Sequence, residues 1–442
     1  MFDLKRARLA LPAIAASMAL VVAGCSVGSI GSTDDAGSGE KVTIRMLVPV
    51  SADGQTDTQE ALIAAFTKQN PDIKINLETQ PGGTEGDNLT KTKLSTGEMP
   101  ELFNYNSGSL LQALSPDTQL VNLSDQPWAK NLDKTYVPTV STDKGMYGAP
   151  LGTTQAGGVL YNKKVYSQLG LKVPTSWAEF EANSKKIKAA GKVPIVQTFG
   201  TDWTAQLFVL ADFANVSAQD PDWADAYTKN QRKYSEQPAL QSWLNQEEMA
   251  KAGYYNKDAA SAEYDQGATL LASGDGVQWP MLSSALLLIK QNHPENVDDI
   301  GMFALPAQDA ADTRLTMWLP NSFYIPKTAE GAKLDAAKKF IDFAMSDEGC
   351  KIVNSTGVPT GPYAISTCSL PDDVAPVLTD IQKYTDAGTT APAAEFLSPV
   401  KGPALPNLTV EVGRGIKGGA AGAKLYDEDV KKQAQQLGLP GW

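Results

Sequence analysis

His293 is the only histidine in the 442-residue sequence, and it stands in Gln291-Asn292-His293-Pro294-Glu295-Asn296, a polar turn ahead of a proline. A Ser-His-Asp or Cys-His relay would have to run through that one imidazole, so nucleophilic catalysis of this kind is disfavoured. The three cysteines, Cys25, Cys350 and Cys368, form no Cys-x-x-Cys pair, and with a single histidine they make a poor metal site. No metal and no cofactor is expected. Fifty acidic residues leave a pair of carboxylates for glycoside hydrolysis open, because such a pair has no local signature. The formal charge of −12, without basic clusters, argues against nucleic acid as a partner.

The remaining side chains suit non-covalent recognition. A sugar ring presents apolar C–H faces that lie on aromatic rings, and hydroxyls that pair with planar polar groups such as Asp, Asn and Gln. Three tryptophans have such company. Trp203 follows Phe199-Gly200-Thr201-Asp202, Trp279 follows Gly276-Val277-Gln278, and Trp318 lies in Thr316-Met317-Trp318-Leu319-Pro320-Asn321-Ser322. Asp202, Gln278 and Asn321 are their polar partners. A core tryptophan at a helix start is the competing reading of Trp279.

The elements that must position these groups alternate in type. Val42, Ile44, Met46 and Val48 give a strand that runs into a loop at residues 49–55, and Asp53 lies in that loop. Leu62, Ala65 and Phe66 at helical spacing place a helix over 58–68, stopped by Asn70-Pro71, and Ile73, Ile75 and Leu77 give the next strand. Strand-helix-strand units of this sort build parallel sheets whose strand ends hold ligands. A helix is predicted over 87–96, a short strand over 99–103 that delivers Tyr105 and Asn106, a strand over 157–161, a helix over 176–190 and a strand over 192–198. Trp279-Pro280 is expected to open an apolar helix through Ile289, and residues 328–346 carry the best amphipathic pattern, with Leu334, Ala337, Phe340, Ile341 and Ala344 on one face. No repeat is evident.

The N-terminus adds a different signal. Lys5, Arg6 and Arg8 precede the apolar run 9–23, and Val22-Ala23-Gly24-Cys25 is similar to a bacterial lipobox, in which Cys25 is lipidated and becomes the mature N-terminus. Gly, Ser and Asp dominate residues 26–40, as in a flexible leash. Cys350 and Cys368 then belong to an exported chain, where a disulfide is the simplest reading and two buried free thiols the alternative. An ordinary signal peptide is the alternative reading of the N-terminus.

In this order, Thr58 to Asn76, Met99 to Leu114, Gly145 to Pro150, Leu160-Tyr161-Asn162-Lys163, Pro174-Thr175-Ser176-Trp177, Tyr324-Ile325-Pro326-Lys327 and Ser346-Asp347-Glu348-Gly349 resemble one family across nearly all of the mature chain. These stretches are similar to the extracellular solute-binding proteins of ABC importers, in the sugar-binding group related to maltose-binding protein. The resemblance implies a two-lobed α/β fold of type II, each lobe a mixed sheet flanked by helices, with a hinge between them.

The boundaries expected are a lipoprotein signal peptide at 1–24, lipidated Cys and linker at 25–40, lobe 1 at 41–153, lobe 2 at 154–318, a lobe 1 return at 319–368, and a C-terminal helical part at 369–442 packing mainly on lobe 2. The resemblance further implies a non-enzymatic, monomeric receptor on the extracellular face of a Gram-positive membrane, tethered only by lipid, with an oligosaccharide and ABC permease subunits as partners. It places Tyr105, Asn106 and Ser107 where the first lobe meets ligand, Gln155 at the first hinge crossing, and Trp279 near a stacking position. A surface glycoside hydrolase, or a receptor for a polyol or peptide, is the alternative. Trp177 and Tyr161 are expected in the core.

Overall fold

The computed structural model describes residues 41–52 and 55–442. The signal peptide and linker assigned to 1–24 and 25–40, Cys25 among them, lie outside the described residues, as does Asp53.

The alternating apolar residues near the start form Val42–Val50, which pairs in parallel with Ile73–Pro81 over its whole length and with Leu102–Tyr105 on its other side. Asn321–Tyr324 adds an antiparallel strand, and Ala149–Leu151 closes that edge, giving the order Ile73–Pro81, Val42–Val50, Leu102–Tyr105, Asn321–Tyr324, Ala149–Leu151. Ile44, Met46, Leu47 and Val48 are all buried, so both faces of this first strand are covered, as a parallel sheet requires. Helices Asp57–Gln69 and Gly331–Ala344 cover one face, with Phe66 edge-on to Phe340 at 5.3 Å between ring centres. The apolar stripe read at 328–346 faces this core.

The second sheet is ordered Thr390–Pro392, Leu315–Trp318, Gln155–Asn162, Gly276–Leu282, Val193–Ile195, with Ile300–Phe303 alongside the far half of Gln155–Asn162. Here one expectation is corrected. Trp279-Pro280 does not open a helix; it lies inside the strand Gly276–Leu282, and the helix begins later, at Leu286–Asn292. Pro280 is tolerated because it falls beyond the last pairing with Val193–Ile195, Ile195 opposite Gln278, where that side of the strand has no ladder partner among the described residues. Gly157 admits the Trp318 ring across the sheet; a Cβ there would collide with the indole.

Each sheet has its own apolar core, the two forming separate clusters. Val377, Ile381, Leu405, Val412, Tyr426 and Val430 from the C-terminal helices join the core of the second sheet. Trp177 and Tyr161 are buried in the same core, and the Trp177 indole donates to Glu248 at 2.8 Å.

The chain crosses between the sheets from Leu151 to Gln155 and again from Trp318 to Asn321. A third stretch runs beside these crossings: Thr153 bridges to Tyr363, and the Ser283 hydroxyl donates to Thr360 at 2.8 Å. Cys350 and Cys368 are disulfide-bonded, closing the helix Asp347–Thr356 onto the first lobe.

Candidate functional site

A cavity of about 270 Å³ lies between the two lobes. The first lobe lines it with the carboxyl ends of its parallel strands. Val42–Val50 delivers Pro49 and Ser51, Ile73–Pro81 delivers Gln80 and the turn Gly82-Gly83-Thr84, and Leu102–Tyr105 delivers Tyr105 and Asn106. Gly83 has φ +68°, which lets the chain turn directly from strand into the helix Gly83–Thr96 and brings Asp87 to the wall. Asn321, at the second crossing, completes this side.

The second lobe contributes aromatic rings. Trp318 stands at the end of its strand with its Nε1–H donated to Glu395 at 2.6 Å. Trp203 lies on the 3₁₀ turn Asp202–Gln206, edge-on to Tyr264 with ring centres 5.1 Å apart. Tyr264 is fixed at a helix start by a reciprocal capping box between Glu263 and Gln266. Trp203 also reaches across the cleft, its indole N–H donating to the Ser51 hydroxyl at 3.1 Å.

Two hydrogen-bonded pairs carry the charged groups of the cavity wall. Glu395 accepts from Lys401 at 2.9 Å, in a pair whose side chains are only 9% and 10% exposed. Opposite, the Tyr105 hydroxyl donates to Asp87 Oδ1 at 2.9 Å. Burial pushes the Asp87 carboxyl above the ordinary range, opposed by the Tyr105 hydrogen bond and the charge of Lys401. Burial and the nearby Asp87 charge raise the Tyr105 phenol well above its usual value, so it stays a donor. Around these groups Gln80 Oε1, Thr84 Oγ1, Gln155 Oε1 and Gln206 Oε1 are buried with no hydrogen-bond partner among the described residues. Acceptors left in this way are costly unless something donates to them. The cavity is thus lined by flat rings on one side, and the residues on both sides include several whose buried polar atoms lack a partner among the described residues.

Of the residues expected to bind ligand, Tyr105, Asn106, Gln155, Trp203, Trp318 and Asn321 line this cavity together. Asp202 sits outside it, at the mouth. Three others are placed elsewhere. Ser107 is buried, its hydroxyl donating to the Pro320 carbonyl at 3.0 Å, where it ties a loop to the second crossing. Trp279 is 1% exposed and packs beside Tyr264 in the second core, the ring occupying space that Gly267 leaves open. Gln278 is fully buried, accepting from Tyr166 at 2.6 Å and donating to Ser184 and Pro194. Both belong to mid-strand, where side chains meet helices and not the strand end.

Asp87, Tyr264, Glu395 and Lys401 escaped the sequence reading. The Pro81-Gly82-Gly83 turn after a strand was a usable signal for Asp87, and Glu263-x-x-Gln266 for Tyr264. Glu395 reaches Trp318 across 77 residues through a three-residue strand, Thr390–Pro392, that pattern alone does not reveal.

Residues 52–350 match the family model described as bacterial extracellular solute-binding protein. The chain is 26% identical over 256 residues to the multiple sugar-binding protein of Streptococcus mutans, a match covering 57% of this chain and 59% of that protein, so less than two thirds of that relative is spanned. It is 24% identical over 355 residues to the melibiose/raffinose/stachyose-binding protein MelE of Bacillus subtilis, covering 77% and 78%. Among solved structures, a chitin oligosaccharide binding protein superposes with a TM-score of 0.79 at 18% identity, covering 90% of this chain and all of that one. The binding protein RafE in complex with raffinose does so at 0.72 and 22%, covering 90% and 99%. At these identities the structures establish the fold.

Proposed function

The chain belongs to the bacterial extracellular solute-binding proteins, and from that premise we propose that it is a lipid-anchored carbohydrate receptor of an ABC importer. One observation carries the ligand class. The rings of Trp203, Tyr264 and Trp318 on one wall face Asp87, Gln80 and Asn106 on the other, the pairing of flat apolar surface and planar acceptors that a hydroxylated ring requires. The names of its relatives, which include sugar-binding proteins, support the same class.

The lobes, taken as 41–153 with 319–368 and 154–318 with 369–442, close by rotation about the crossings. Ligand favours the closed form because only there do both walls touch it, so binding shifts an open–closed equilibrium. Closure presents the outer surface to the permease. Lipid on Cys25, in Val22-Ala23-Gly24-Cys25, and a leash at 26–40 hold the receptor close to that permease.

Thermal-shift screening of the chain lacking residues 1–25 against di- to pentasaccharides tests the ligand class. Sugar at 100 times its dissociation constant adds about 2.7 kcal/mol to stability. A shift with the sugar recovered intact is the expected result. Silence across the panel rejects a carbohydrate ligand, and release of cleaved sugar makes the protein a hydrolase. Cys25→Ser is expected to move the protein from the membrane fraction to the supernatant.

A further inference from the structure

One residue of the second lobe answers to both lobes. The Glu395 side chain holds Trp318, accepting from its Nε1–H at 2.6 Å, while the Glu395 backbone rests against the first lobe. The contact is at Gly108, the residue ahead of the short helix Ser109–Gln112. Gly108 has φ +73°, and a Cβ there would stand 2.2 Å from the Glu395 carbonyl oxygen and 3.0 Å from Phe396 Cδ1. Glycine is therefore required twice, by the backbone conformation and by the approach of the opposite lobe. Neither Gly108 nor Phe396 lines the cavity.

The two sides of this contact differ in how firmly they are held. On the first lobe each residue of the loop is pinned. The Asn106 carbonyl accepts from the Tyr324 hydroxyl at 3.0 Å, the Ser107 hydroxyl donates to Pro320, and the Gly108 amide donates to Thr139 at 2.7 Å. On the second lobe the helix Ala394–Leu397 is a single turn, and it follows Thr390–Pro392, three residues at the edge of the sheet. A shift imposed at the contact is therefore taken up by the helix. Glu395 passes it on to the indole, because a short hydrogen bond to a carboxylate tolerates little change in distance or angle. Lys401 holds the other carboxylate oxygen at 2.9 Å, so the carboxylate cannot swing to compensate.

We propose that Gly108 is a positioning residue: the first lobe, through Gly108 and Glu395, sets where the ring of Trp318 stands on the second. The ring wall is then aligned with the acceptor wall by direct contact between the lobes, before any ligand arrives. That Trp318 is a stacking ring rests on the carbohydrate reading above. A Cβ at Gly108 needs a displacement on the order of 1 Å to reach an ordinary contact distance, enough to misplace the ring.

Gly108→Ala in the isotope-labelled receptor tests this. It is read by the indole N–H signals of the eight tryptophans in two-dimensional NMR without ligand, and by calorimetry with the sugar that passes the screen. Trp318→Phe identifies the Trp318 signal, and Trp177, whose indole donates to Glu248 in the same lobe, is the control. The Trp318 signal is expected to move, the Trp177 signal to stay, and sugar affinity to fall about tenfold. A Trp318 signal that stays in place overturns the proposal even if affinity falls, since the loss would then arise in the loop of Asn106. A signal that moves with affinity unchanged overturns it too, as does movement of both signals, which marks a general loosening of the lobe. If Gly108→Ala does not fold, Phe396→Ala opens the same contact from the other side. The same pattern is then expected with about a threefold loss, and unchanged affinity overturns the proposal. If no sugar binds even the wild type, the carbohydrate reading fails, while the Trp318 signal still decides whether Gly108 positions the ring.

Discussion

The two walls of the cleft are built on opposite plans. The first lobe offers acceptors placed by its strand ends: Gln80 and Asn106 sit at or just after them, and Asp87, in the helix that follows Ile73–Pro81, is oriented by Tyr105. The second offers rings held by side chains: Trp318 is fixed by Glu395, Glu395 by Lys401, and Trp203 by Tyr264. The first wall therefore sets which hydroxyl pattern is matched, while the second supplies apolar area that is tolerant of pattern. The lobes differ behind their walls as well, since the first is stapled by Cys350–Cys368 and the second relies on a larger aromatic core.

The most damaging way to break this comparison is Trp318→Ala. It removes a stacking surface and leaves the Glu395 carboxylate short of a donor, so sugar affinity is expected to fall by about 2–3 kcal/mol, roughly 30- to 150-fold. Calorimetry measures it. Trp318→Phe, which keeps a ring but loses the indole N–H, should fall between; a Phe variant as weak as Ala would assign the role to the bond with Glu395 and not to stacking.

The staple of the first lobe should matter to stability and not to ligand. Cys350 and Cys368 are 18 residues apart, and closing a loop of that order is worth about 3 kcal/mol in the chain-entropy model. Urea unfolding of Cys350→Ser/Cys368→Ser is expected to show a loss of that order with sugar affinity unchanged. A parallel loss of affinity would mean that the staple also shapes the acceptor wall.

Asp87→Asn tests the acceptor wall itself, and about a tenfold weakening at neutral pH is expected, the low end for a hydrogen bond to a charged group. The wild type carries a pH signature too. Burial raises the Asp87 carboxyl, with Lys401 and Lys91 opposing and Asp202 adding to the shift. A ligand hydroxyl donates to the carboxylate but not to its protonated acceptor site, so affinity is complete above the raised value and falls as pH drops through it, beginning above the ordinary 3.8. Asp87→Asn should flatten that profile. A wild-type affinity independent of pH down to 4 would remove Asp87 from ligand contact.

How far all this was legible in the sequence follows the same division. A short apolar run between turns could be read as a strand, so Tyr105 and Asn106 were expected at the end of the strand that the structure places at Leu102–Tyr105. Trp318 and Asn321 stand together in one short stretch of sequence, a ring beside a planar polar group, and the structure places both on the cavity on either side of the second crossing. Trp279 and Gln278 were misplaced because a fully buried strand has no alternation to separate it from a helix start, and a tryptophan beside glutamine looks the same in either. Glu395 and Lys401 belong to the cleft only through the pairing of Thr390–Pro392 with Leu315–Met317, a contact between distant segments. Local pattern carries no trace of it.

The smallest expected effect bears on how the two walls meet. Trp203 and Ser51 are joined by one hydrogen bond across the cleft, and both also line the cavity, so each could act on closure or on ligand. Ser51→Ala and Trp203→Phe are expected to weaken binding two- to fivefold each, the range of a single neutral hydrogen bond. If the bond between them is what matters, it stabilises the closed form, and losing it once or twice costs the same. The double variant should then be no weaker than the worse single one, with the change seen as faster ligand release in stopped-flow measurements. Effects that multiply in the double variant would instead assign each residue its own contact with the sugar. That bond would then contribute nothing of its own to closure, and each side chain would act through the ligand.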